Sequence, residues 1–188
     1  MLDDRQLVRK SKQGDLDAFE ELVRRYENKV YSIAFRFMGN HADASDIAQE
    51  AFIRLYQALP RYREEAGLTT WMYHITANAC RDELRKKQRA RLIPLNDYIT
   101  ETFEGSNTAK SGTNPEEELE RLELQEQVQL CLNKLTDEHR IILILREMQD
   151  LSYEEISEVL KCSMGTVKSR LNRARKALRE KLLEQMEH

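Results

Sequence analysis

The chain has 188 residues, of which 34% are charged, and 30 Lys and Arg against 33 Asp and Glu leave a formal net charge of −3. Mean hydropathy is −0.70, and the longest apolar run, residues 141–145, is far below the roughly 20 residues that span a bilayer, so no membrane insertion is expected. Six Gly and three Pro are too few for a β-sandwich or barrel, which needs a turn about every 8–12 residues, and the expected fold class is all-α.

The N-terminus, MLDDRQLVRKSKQGD, lacks the apolar centre of an export signal. The three scattered cysteines, Cys80, Cys131 and Cys162, then read as reduced thiols in a cytosolic protein. Residues 15–37 place Phe19, Leu22, Val23, Tyr26, Val30, Ile33, Ala34 and Phe37 at helical spacing, and Gly39-Asn40 ends that helix. Residues 43–59 form a second helix, with Ile47, Ala51, Leu55 and Leu59 every fourth position, stopped by Pro60. A third helix runs over 70–88.

Residues 100–118 are rich in Ser, Thr, Asn, Gly and Glu. Such a stretch cannot bury enough apolar surface to offset its ordering entropy, so a mobile acidic linker is expected there. The chain thus divides into a domain over 1–91, a linker over 92–115 and a second domain over 116–188. In the second domain, Asn114-Pro115 with Glu at the third helical position starts a helix, on which Leu124, Val128, Cys131 and Leu135 share a face. The next helix runs from Thr136 through Met148. Ser152 and Glu155 have capping-box spacing, with Leu151 and Ile156 as the hydrophobic staple, and open a helix that reaches Lys161. A turn over 162–165 leads into a final helix over 166–183.

Charge is segregated along this map. Residues 81–91 carry +4, residues 92–127 carry −7 and residues 161–181 carry +7. A polyanion feels this local pattern rather than the overall balance.

A short helix, a turn and a longer basic helix make a helix-turn-helix. On the second of these helices Val167, Leu171, Ala174 and Leu178 gather within roughly 40° at 100° per residue and face the core. Ser169, Asn172, Arg173 and Lys176 lie opposite, with Lys168, Arg170 and Arg175 on the flanks. Polar and Arg side chains aimed outward suit base edges, and flanking cations suit phosphates.

The helix over 70–88 gathers His74, Asn78, Arg81 and Arg85 within about 60°. Trp71 stands at its start beside the loop carrying Arg61 and Tyr62. This set suits unstacked bases and single-strand phosphates, although Trp71 equally suits a packed core position. The exposed line of the helix over 43–59, Asp46, Gln49, Glu50, Ile53 and Gln57, is acidic and polar with one isoleucine and fits a protein partner. The four histidines (His41, His74, His139, His188) show no metal-ligand spacing, and neither a phosphate-cradling loop nor a nucleophile motif is present. No metal, cofactor or catalytic residue is expected. Two other readings stay open on these residues alone. A self-sufficient helix-turn-helix repressor would need a dimer seam, and a helical adaptor would show no salt-dependent DNA affinity.

Three segments in order resemble a known family, the extracytoplasmic-function (ECF) sigma factors of bacterial RNA polymerase, within the sigma-70 family. DASDIAQEAFIRLY (43–56) is similar to the family's polymerase-docking helix. TTWMYHITANACRDELRKKQR (69–89) is similar to its −10 promoter helix, with His74 where Arg is usual. LSYEEISEVLKCSMGTVKSRLNRARKALREKL (151–182) is similar to its −35 helix-turn-helix. The resemblance implies a transcription initiation factor that binds core RNA polymerase and directs it to promoters. Asp46, Gln49, Glu50, Ile53 and Gln57 would dock on the β′ clamp helices, and the second domain on the β flap. Arg61, Tyr62, Trp71, His74, Asn78, Arg81 and Arg85 would capture the opened −10 strand. Lys168, Ser169, Arg170, Asn172, Arg173 and Lys176 would meet the −35 duplex. The resemblance further implies control by an anti-sigma factor, which could hold this cytoplasmic protein at the membrane.

Overall fold

The computed structural model describes residues 2–63, 67–91 and 115–186, and in them it contains eight α-helices and no strand. The linker expected over 92–115 lies outside the described residues, apart from Pro115. In chain order the helices are α1 (Asp4–Lys12), α2 (Leu16–Met38), α3 (His41–Ala58), α4 (Leu68–Arg91), α5 (Pro115–Asn133), α6 (Asp137–Leu143), α7 (Tyr153–Leu160) and α8 (Met164–Met186). A 3-10 turn, Leu59–Arg61, follows α3, and a π turn, Ile144–Met148, continues α6.

Local chemistry sets the boundaries. Asp3 and Gln6 form a reciprocal capping box at the start of α1, a helix that the apolar pattern alone did not reveal. Asp15 accepts from the Ala18 amide and starts α2. Asn40 accepts from the Asp43 amide at 2.9 Å, so α3 begins at His41, two residues before the expected start. Ser152 and Glu155 cap each other at α7 as their spacing predicts. α7 ends on Lys161, which adopts the left-handed conformation at φ 50°. The Ser163 hydroxyl accepts from the Thr166 amide, so α8 starts at Met164 and includes Gly165.

Two apolar clusters hold the molecule. One joins α1, α2, α3 and the start of α4 through Leu7, Val8, Leu22, Val30, Leu55, Leu59 and Met72. The other joins both ends of the chain: Ile33 and Phe37 of α2 and Tyr73, Ala77 and Cys80 of α4 pack with Leu132 of α5, Ile142 of α6, Leu145 and residues of α7 and α8. Two helical halves were expected from sequence; a core common to both was not. Full burial of an aliphatic or aromatic side chain contributes roughly 1.5–3 kcal/mol, so this common core is a substantial contact.

Polar groups register the seam. The Arg140 guanidinium, 7% exposed, donates to the Phe37 carbonyl at 2.6 Å and to the Asn133 and Leu135 carbonyls at 2.8 and 3.1 Å. It thereby meets the C-terminal ends of α2 and α5, where helix dipoles favour a cation. Gln129, 1% exposed, donates to the Arg36 carbonyl at 3.1 Å. Gly39 ends α2 at φ 81°, and a Cβ there would lie 2.5 Å from Asn133 Nδ2. Glycine is needed both for the turn and for the close approach. The N-terminal part of α5 is exposed, with Leu124 at 59% instead of on the expected buried face.

Candidate nucleic-acid and protein interfaces

α7, the left-handed residue Lys161 and α8 form the expected helix-turn-helix. Val167, Leu171 and Ala174 are at most 1% exposed and pin α8 to α6 and α7. Lys168, Ser169, Asn172, Arg173 and Lys176 are all exposed on the outward side. Ser169 donates to the Thr166 carbonyl. Arg170 is half-buried and faces Glu138 at 3.5 Å. Arg175, one of the flanking cations, is held by Glu147 at 2.7 and 2.9 Å. Exposed pairs of this kind contribute about 0–1 kcal/mol, so a phosphate can displace them.

The residues of the second strip divide into two groups. At the start of α4 the Tyr62 and Trp71 rings stack with centroids 4.4 Å apart and planes 19° from parallel. Lys12 of α1 donates to the Tyr62 carbonyl at 2.6 Å, and its ammonium lies 5.4 Å from the ring centroid. Arg61 is exposed beside this pair. Trp71 is partly buried against the first cluster, so it both packs and presents an edge. The two uses left open by the sequence are compatible.

Along α4, His74, Asn78 and Arg81 face the C-terminal half of the chain. The His74 Nδ1–H donates to the Val159 carbonyl at 2.6 Å, which leaves Nε2 to accept from the Asn78 amide at 3.0 Å. Burial lowers the pKa of His74 and that of Arg81, near which Glu138 and Arg170 act in opposite directions. Arg85 is exposed and faces Asp82 at 3.7 Å. The structure thus places Arg61, Tyr62 and Trp71 together, His74, Asn78 and Arg81 half-buried at the seam, and Arg85 outside it.

On α3, Asp46, Gln49, Glu50, Ile53 and Gln57 are exposed, Ile53 at 52%. The cleft between α3 and α4 is lined by acidic Asp43, Asp46, Glu50, Asp82 and Glu83 with Arg54 and Lys86. Arg54 bridges Glu50 at 2.8 Å and Asp82 at 2.7 Å and was missed in sequence, where charge type alone does not reveal a cross-helix bridge. Tyr56, 40% exposed, adds a second large side chain to this helix. Among the described residues no group of His, Cys, Asp or Glu could hold a metal ion, and no helix is long and apolar enough to cross a membrane.

Comparison with known proteins agrees with the order of these elements. Residues 22–90 match the family described as Sigma-70 region 2, and residues 125–178 match Sigma-70, region 4. The RNA polymerase sigma-H factor of Pseudomonas aeruginosa is 38% identical over 93% of this chain and 91% of its own length. The ECF RNA polymerase sigma factor SigW of Bacillus subtilis is 37% identical over 93% of this chain and 94% of its own. Among solved structures, CnrH in complex with the cytosolic domain of CnrY aligns over 97% of both chains with a TM-score of 0.68 and 26% identity. The sigma factor RpoE in complex with the anti-sigma factor NepR from Bartonella quintana covers 88% of this chain and 96% of its own at a TM-score of 0.69 and 23% identity, and shows the same fold. With matching segments at both ends and relatives aligned along nearly its whole length, the chain belongs to the ECF sigma factors of the sigma-70 family, which are transcription initiation factors and not enzymes.

Proposed function

We propose that the chain programmes core RNA polymerase through three separate surfaces. The division into 1–91, 92–115 and 116–188 follows those surfaces, with docking and −10 recognition in the first part and −35 recognition in the last. Asp46, Gln49, Glu50, Ile53 and Gln57 dock on the β′ clamp helices, and the C-terminal part sits on the β flap. Lys168, Ser169, Arg170, Asn172, Arg173 and Lys176 meet the −35 duplex. Arg61, Tyr62, Trp71, His74, Asn78, Arg81 and Arg85 hold the opened −10 strand. The observation that carries this reading is the exposed polar line of α8, backed by the fully buried Val167, Leu171 and Ala174.

Each DNA surface has few cations and binds weakly alone. Held at a fixed spacing on polymerase, the two act bivalently, and the second contact becomes intramolecular. Trapping an extruded base offsets the few kcal/mol lost on unstacking. An anti-sigma factor, as in the RpoE–NepR complex, would compete for these surfaces, and a membrane-bound one would hold the cytoplasmic protein at the bilayer.

The test is run-off transcription by bacterial core polymerase on a promoter library, with and without the chain. New start sites support the reading, and their absence with every template refutes it. Asn78→Ala should reduce open-complex formation about fivefold or more while polymerase still co-purifies, since a hydrogen-bonded base contact contributes about 1–3 kcal/mol.

A further inference from the structure

α1 precedes residue 22, where the match to Sigma-70 region 2 begins, and none of the surfaces proposed above includes it. It is nevertheless built into the support of one of them. Leu7 and Val8, 2% and 1% exposed, lock one side of α1 into the first cluster beside Leu59, Leu68 and Met72. Tyr62 and Trp71 pack on that same cluster. Two polar ties then lead from α1 to these aromatic residues. At the end of α1 the Lys12 ammonium donates to the Tyr62 carbonyl and lies over the Tyr62 ring. At its start Asp4 accepts from the Tyr26 hydroxyl. The Tyr26 oxygen accepts in turn from the hydroxyl of Thr69, two residues before Trp71, at 3.4 Å.

The Tyr62 carbonyl needs a partner from elsewhere in the chain. Tyr62 follows the 3-10 turn with an extended backbone, φ −67° and ψ 124°, so no helix continues to take up that oxygen. Lys12 reaches it from 50 positions away, and a charged donor makes the bond stronger than a neutral one would. One ammonium thus fixes both the backbone under the ring and the ring itself, which stacks on Trp71 at 4.4 Å between centroids.

We propose that Lys12 is a positioning residue for nucleobase capture: from α1 it holds Tyr62 against Trp71 as a preformed stacking surface for one unpaired base. This rests on the role given to Tyr62 and Trp71 above and adds the residue that keeps their rings in place. A side chain already ordered loses no rotamer freedom when its ligand arrives, and binding is tighter for it. Without Lys12 the Tyr62 ring turns about its side-chain bonds before a base arrives. The base contact then weakens, while the exposed Arg61 still meets phosphate.

The test uses the full chain bound to bacterial core polymerase, on a template with a pre-melted −10 bubble. An abasic site is moved through the non-template strand one position at a time, and affinity is measured at several salt concentrations. With the unmodified chain, one position should show a loss of about fivefold or more, the value of one stacked base. In Lys12→Met that loss should shrink to about twofold or less, the non-additivity of two groups that act together. The dependence of affinity on salt should not change, because the ammonium touches no phosphate. Lys12→Arg retains the cation and its donors and should restore the loss. Tyr26→Phe cuts the second tie and should reduce the loss in part, which keeps the test intact should Lys12→Met fail to fold.

An abasic loss as large in Lys12→Met as in the unmodified chain makes Lys12 a structural residue only and overturns the proposal. A salt slope smaller by about one, with the abasic loss intact, makes it a phosphate contact and overturns the proposal as well. If Tyr62→Ala removes the abasic loss and Lys12→Met does not, this inference fails and the strand-holding role of Tyr62 stands. Start sites with no abasic loss at any position reject that role, and the inference falls with it.

Discussion

The outward lines of α8 and α4 carry the same chemistry, an Asn, Arg residues and a flanking cation or histidine, and they differ in what lies over them. On α8 the buried side is complete within its own half of the chain: Val167, Leu171 and Ala174 pack on α6 and α7 and leave Asn172 and Arg173 to solvent. On α4 burial continues round the helix, because Tyr73, Ala77 and Cys80 meet the C-terminal half while His74 and Asn78 stand at the edge of that contact. On the roles proposed for them, a duplex-reading face on α8 is finished locally, whereas a strand-reading face on α4 depends on the relative placement of two halves.

The contrast can be broken most strongly on the α8 side. Leu171→Ala removes a side chain 1% exposed and should cost about 2–5 kcal/mol, read as a lower urea midpoint. It should also weaken −35-dependent transcription more than transcription from templates with a pre-melted −10 bubble. Arg173→Ala should cost about 1–3 kcal/mol at one −35 base pair. A base-substitution scan of the promoter should show relaxed preference at that position; uniform loss across sequences would make Arg173 a phosphate contact.

On the α4 side, Lys12→Met removes the bond to the Tyr62 carbonyl and the cation over its ring. About 1 kcal/mol of stability should be lost, measured by urea unfolding, with α8-dependent duplex binding unchanged. The smallest effect should come from pH. His74 titrates below its ordinary value of 6.5, first because burial disfavours the imidazolium and also because Lys161 and Arg81 are nearby, with the Val159 carbonyl opposing them. The neutral ring favours the contact between α4 and α7, so the stability it adds is fully present above the ordinary value and is lost as pH falls below it. The urea midpoint should fall as the pH is lowered from about 6.5, and His74→Gln should remove that dependence.

Much of this architecture was legible in the sequence because its signals are local. The Ser152–Glu155 box, the apolar line of α8 and the acidic line of α3 depend on residues three or four positions apart. The Asp3–Gln6 box has the same spacing and is the local signal for α1, whose nine residues are too short for apolar periodicity to stand out. The seam was not legible. Periodicity shows that Leu132 and Ile142 are buried without saying against what. Gln129 and Arg140 are of types that usually stay solvated, and their partners are 93 and 103 positions away. Leu124 failed in the opposite sense, since its place on an apolar line does not ensure a neighbour to cover it.

The stacked Tyr62–Trp71 pair has an optical consequence. Trp71 is the sole tryptophan among the 188 residues, so the long-wavelength emission of the whole polypeptide originates at one indole beside the loop through which a displaced nucleotide would arrive. Quenching of that emission would time strand arrival in stopped flow without any attached dye.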